Sequence, residues 1–79
     1  MALVRSLTRD ARSTSRPHPT EVDCRWQVIV GPHGASLFQL STYGSDGRES
    51  EPKVSQTIQL DRDMAAQLVA RLRETFDLQ

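Results

Sequence analysis

Cysteine is nearly absent. Cys24 is the only one in 79 residues, so no intramolecular disulfide can form and no cysteine cluster can hold zinc. The two histidines, His18 and His33, fall in a proline-flanked segment and a Gly-Pro-His-Gly turn, not at ligand spacing, so no metal site is expected. No apolar run approaches the roughly 20 residues that span a bilayer, which argues against a membrane partner. A nucleophile elbow, a glycine-rich phosphate loop and a His-x-x-x-His pair are also missing, so the chain reads as non-enzymatic and without a cofactor. A lone thiol and no secretory apolar segment point to a reducing, cytoplasmic setting.

Bulky apolar residues are scarce early in the chain. Residues 1–20 hold four arginines (Arg5, Arg9, Arg12, Arg16), one acid (Asp10) and two prolines, with little apolar weight after Leu7. Ordering such a segment costs backbone entropy with little burial to offset it, so 1–20 is expected to be a disordered basic arm. An organelle transit peptide shares this composition, but Leu3 and Leu7 make only a short amphipathic stripe. Residues 21–79 remain as one domain, small enough to bury only roughly 60% of its unfolded surface. With disulfides and metals excluded, a partner chain is the expected source of extra stability. The overall charge of zero conceals an asymmetry. The arm carries four basic residues against one acid, and the domain six against nine. A basic arm on an acidic body hints at polyanion contact through the arm.

Alternation is the main signal in the domain. Val22, Cys24, Trp26, Val28 and Val30 alternate with polar residues, Ile29 excepted, which predicts a half-buried antiparallel strand over 22–30. Gly31-Pro32-His33-Gly34 then predicts a turn. A second strand over 35–43 puts Phe38, Leu40 and Thr42 on one face and Leu37, Gln39, Ser41 and Tyr43 on the other. Apolar weight on both faces suits a central strand. A third strand over 53–60 alternates Val54, Ile58 and Leu60 with Lys53, Ser55, Thr57 and Gln59. Asp61 is placed to cap a helix and Asp63 to complement its dipole, which accounts for this Asp-x-Asp better than a metal would. Met64, Leu68, Leu72 and Phe76 recur every four residues as one apolar stripe. The fold class is therefore α+β: an antiparallel three- to four-stranded sheet, the fourth strand supplied by Ala2-Leu3-Val4, followed by one C-terminal helix packed on one face.

That arrangement leaves the second sheet face open. Arg25, Gln27, Gln39, Ser41, Tyr43, Lys53, Ser55, Thr57 and Gln59 fall on it, polar and rich in hydrogen-bonding groups. Tyr43 ends a strand beside the polar stretch 44–52, where stacking on a base and simple edge packing are both open readings. Gly44-Ser45-Asp46-Gly47 reads as a turn rather than a cation loop. Cys24 is expected to be an inert core thiol. Trp26 is expected in the core beneath the helix, with base stacking as the alternative.

The order of elements from Arg25 to Phe76 resembles the positive-cofactor-four-like family, transcriptional coactivators and bacterial relatives that bind single-stranded DNA. The resemblance is one of pattern. It consists of a hairpin, an aromatic closing the second strand (Tyr43), a polar loop with Gly47 and Pro52, and a basic residue opening the next strand (Lys53). Ile58-Gln59-Leu60 then leads straight into a helix capped by Asp61 and striped by Leu68 and Leu72. This chain departs from the pattern in its acidic loop and in having three clear strands where the family has four. The resemblance implies a homodimer through the C-terminal helix, with single-stranded DNA or RNA across the outer sheet face. Carried over, Tyr43, Arg48 and Lys53 would contact the strand, with Arg25 and Gln39 as outer positions. The expected function is a dimeric single-stranded nucleic-acid-binding transcription or repair cofactor; the alternative is an interaction adaptor or small subunit docking on a larger protein.

Overall fold

The computed structural model describes residues 1–12, 16–44 and 53–79. The polar stretch over 44–52, and with it Arg48, lies outside the described residues except for Gly44. The elements are β1 (Ala2–Leu3), β2 (Cys24–Val30), β3 (Ser36–Tyr43), β4 (Val54–Leu60) and α1 (Arg62–Phe76). They form one four-stranded sheet in the order β1-β4-β3-β2 with a single C-terminal helix. The α+β class is as the alternation predicts, with one difference: β1 joins β4 in parallel, so the sheet is mixed. Ala2 and Leu3, placed in the arm by composition, are thus part of the sheet, and the Val4 amide donates to the Gln59 carbonyl at 2.9 Å.

The β2–β3 hairpin is in unbroken register from Cys24 opposite Thr42 to Val30 opposite Ser36. Its turn is a single 3-10 turn over Pro32–Gly34. His33 takes a left-handed backbone at φ 63° and Gly34 follows at φ 77°, a sequence of positive φ values in which glycine removes one of two steric penalties. Gly31 is small for another reason: a Cβ there would meet the Ala35 carbonyl and the Leu37 side chain at 3.1 Å.

β3 and β4 pair from Phe38 opposite Leu60 to Thr42 opposite Gln56, after which Tyr43 falls opposite Val54. Ser55 is the extra residue of this bulge. Its hydroxyl lies 2.9 Å from the Thr42 hydroxyl and also donates to the Thr42 carbonyl at 3.3 Å. Strict alternation would have put Ser55 in a row with Thr57 and Gln59; the bulge takes it out of that row.

α1 begins at once after β4. The Asp61 carboxylate accepts from the Met64 amide at 2.9 Å, the cap expected from sequence. The helix ends on Asp77 in the left-handed region, with the Asp77 and Leu78 amides donating to the Arg73 carbonyl. This direct junction anchors the helix over β4 and β3, where Leu60 and Met64 are the buried apolar residues. Phe38 and Val28 line a hollow with Leu60, Asp61, Arg62 and Ala65. Leu7, Thr8 and Arg9 of the arm line a second hollow against Ala66, Gln67 and Ala70.

Two expectations about the core need correcting. Trp26 is not under the helix: it is 65% exposed and stacks on Phe38 with ring centroids 5.5 Å apart. Cys24 is also exposed rather than a core thiol. The reason is geometric. Strands lie about 4.8 Å apart and a helix is about 10 Å across, so a helix tied to the end of β4 reaches β3 but leaves β2 bare. Val28 and Val30 are accordingly 59% and 78% exposed. The helix stripe is likewise uncovered beyond Leu68, with Val69, Leu72 and Phe76 exposed. The radius of gyration, 15.0 Å, exceeds the about 12 Å of a compact chain of this length.

Because one cap holds the helix at the only buried apolar contact among the described residues, its loss should be felt globally. Asp61→Ala is expected to cost about 1 kcal/mol, lowering the melting midpoint by about 4–8 °C in a circular-dichroism thermal scan.

Candidate functional site

Residues opposite one another in the ladder share a face, so the register assigns the two surfaces. Cys24, Trp26, Val28, Phe38, Leu40, Ile58 and Leu60 lie on the face that carries the helix. Arg25, Gln27, Gln39, Ser41, Thr57 and Gln59 lie on the other. On that second face Arg25, Gln27, Gln39, Ser41 and Tyr43 line a groove of about 230 Å³, which Trp26 also borders.

Three of the five residues singled out from sequence, Arg25, Gln39 and Tyr43, therefore meet in one groove. The Arg25 guanidinium carbon sits 4.7 Å from the centroid of the Tyr43 ring, a cation–π contact that holds a positive charge against an aromatic face. It forms across the hairpin because Arg25 pairs with Ser41, which puts Tyr43 one diagonal step away. Lys53 is exposed next to this end, its carbonyl accepting from the Gly44 amide at 3.2 Å. Arg48 lies outside the described residues. Gln27 is the member that sequence reasoning left out of the site. The signal was present, since Gln27 is two residues from Arg25 and pairs with Gln39.

The middle of the face is more self-satisfied than alternation alone implies. The Ser41 and Thr57 hydroxyls lie 3.0 Å apart, and these residues are only 6% and 7% exposed. The Gln59 side-chain amide donates to the Gln39 side-chain carbonyl at 2.9 Å. These pairs, together with Ser55 on Thr42, tie β3 to β4 by side chains as well as backbone. Ser41, Ser55, Thr57 and Gln59, which alternation places on the open polar face, thus have side-chain partners within the sheet. What stays open to a ligand is concentrated at the β2 side: the Arg25–Tyr43 pair, Gln27, the Gln39 side-chain amide donors, which have no partner among the described residues, and Lys53 at the end of the groove. No cluster of potential metal ligands occurs among the described residues. Nor is any helix among them long and apolar enough to cross a membrane.

The buried hydroxyl pair can be tested by a double-mutant cycle. Thr57→Val alone should cost about 1–3 kcal/mol in urea unfolding by stranding the Ser41 hydroxyl, whereas Ser41→Ala together with Thr57→Val should recover much of it. No protein-family model, curated protein or solved structure matches this chain.

Proposed function

We propose that this chain is a non-catalytic, cytoplasmic single-stranded nucleic-acid-binding module, of the kind that serves as a transcription or repair cofactor. The observation that carries the proposal is the groove that gathers Arg25, Gln39 and Tyr43 on one open polar face. An aromatic face stacks on any base, and a guanidinium held beside it supplies charge for the adjacent phosphate, a combination that suits single strands of varied sequence. Lys53 would extend the phosphate track at the end of β4, and Gln27 and Gln39 would hydrogen-bond base edges or sugar oxygens. The arginines of the arm, Arg5, Arg9, Arg12 and Arg16, would raise the rate and affinity of capture without selecting a sequence.

The proposed module is a homodimer in which the C-terminal helix supplies the contact. Val69, Leu72 and Phe76 form an exposed apolar stripe, and burying such side chains contributes about 1.5–3 kcal/mol each. The same exposure favours a second reading, an adaptor or small subunit that docks this stripe on a larger protein.

Fluorescence anisotropy with a labelled oligothymidine decides between them. Binding at low salt that weakens as salt rises is the expected result, and Tyr43→Ala should weaken it about 5- to 150-fold, the equivalent of one stacked base at about 1–3 kcal/mol. Replacing the four arm arginines by glutamine should reduce the salt dependence while leaving the Tyr43→Ala effect in place; deleting the arm outright would also remove β1. Absence of binding at low salt would sink the nucleic-acid reading.

A further inference from the structure

The outer edge of β2 has a backbone and side-chain pattern that is complementary to itself. The Tyr43 amide donates to the Asp23 carbonyl at 3.0 Å, and the Gly31 amide donates to the Ala35 carbonyl. These are the two ends of a hairpin in continuous register, so the odd-numbered residues 23 to 31 turn their backbone groups toward β3. In an antiparallel ladder the alternate residues point the other way. The N–H and C=O groups of Cys24, Trp26, Val28 and Val30 therefore face outward, along an edge that no other strand covers among the described residues.

The same four residues put their side chains on the apolar sheet face, where Trp26, Val28 and Val30 are exposed. Natural edge strands are commonly guarded by an inward-pointing charge, a proline or a bulge. β2 has no proline, no register shift, and its one charge, Arg25, on the opposite face. The edge is thus seven residues long, straight in register, and apolar on one side.

We infer that β2 pairs antiparallel with β2 of a second copy about a two-fold axis through Gln27, making one continuous sheet of eight strands. The register follows from parity. With Gln27 opposite Gln27, Trp26 falls opposite Val28 and Cys24 opposite Val30 of the second copy. All four of these even-numbered positions are then hydrogen-bonded pairs, as their outward backbone groups require. On the apolar face the axis brings Trp26 and Val28 of both copies together. On the polar face the Gln27 side-chain amides meet, each able to donate and to accept. Arg25 falls opposite Ile29, so the strand's only charge does not face its own copy. An arbitrary extended peptide would satisfy the backbone, but this self-pairing also sets apolar side chain against apolar side chain and Gln27 against Gln27 with no like charges opposed, and for that reason the occupant is assigned to a second copy.

The join is made by the edge of β2 and uses residues that also line the groove, Gln27 among them. It would align the two Arg25–Tyr43 grooves on one surface, since both lie on the same face of a shared sheet. The helix stripe is on a different part of the molecule, so contact through it would enlarge the assembly further.

Two variants test the pairing. Val28→Pro removes an outward amide without touching the β3 ladder, and it is expected to halve the mass measured by light scattering across a dilution series. In a Cys24→Ser background, Gln27→Cys should form a disulfide-linked dimer under mild oxidation. Residues opposite one another at a non-hydrogen-bonded position lie about 4.5 Å apart at Cα, within the about 4.4–6.8 Å of a disulfide. The native Cys24 should not cross-link, because the axis sets the two Cys24 residues six positions apart along the strand. A wild-type mass that Val28→Pro leaves unchanged, or failure of the Gln27→Cys variant to cross-link, would overturn the pairing. Oligothymidine binding measured on the same Val28→Pro sample separates this result from the nucleic-acid reading. Loss of mass with binding retained supports the edge contact whatever the fate of the helix contact.

Discussion

The junction between β4 and α1 sets the shape of this protein. Leu60 is the last residue of the strand, Asp61 caps the helix through the Met64 amide, and Leu60 and Met64 are the buried apolar pair among the described residues. With no linker between strand and helix, the helix cannot slide across the sheet, and it anchors over β4 and β3. A helix about 10 Å across cannot also shelter β2, roughly two strand spacings away from β4. The exposed Trp26, Val28 and Val30 on one side and the exposed Val69, Leu72 and Phe76 on the other are both consequences of that anchor. A domain with so little interior has small reserves against the entropy of ordering its chain.

The polar face is held together by a different means. Side-chain pairs cross from β3 to β4, Ser41 with Thr57 and Gln39 with Gln59, so hydroxyls and amides that look available in the sequence are committed to one another. Buried polar groups are costly unless paired, and pairing them strengthens a sheet that has little apolar interior. The consequence for function is spatial. Open chemistry moves toward β2, where Arg25 rests on Tyr43 and where the groove lies. The strand that carries the groove's cation is also the strand with the free edge, so recognition and assembly would share one element.

Much of the fold was legible in residue order. Alternation located β2, β3 and β4 to within two residues at each end, and Asp61 marked the helix start. β1 was indicated by Ala2-Leu3-Val4 but not its parallel direction, since two residues carry no orientation signal. Burial was the poorest inference. Trp26 and Cys24 share a row with valines, and a row of that kind reads as core when the sheet is assumed to be covered. Alternation reports which residues share a face; it does not report whether anything lies over that face. The bulge at Ser55 was invisible for a related reason, because Lys53 to Leu60 alternates in a way that gives no sign of an extra residue until its partner strand is in place.

The candidate site divides along the same line. Sequence by itself determined that Arg25, Gln39 and Tyr43 would lie on one polar face and that the helix would start at Asp61. These are local facts, set by side-chain period and capping chemistry. Only the tertiary structure decided that Arg25 stacks on Tyr43, that Ser41 and Thr57 consume each other's hydrogen bonds, that Gln27 belongs to the groove, and that β2 is an edge. Each of these depends on which strands are neighbours and in what register. Such pairings join residues a dozen or more positions apart, and no local period in the chain encodes them.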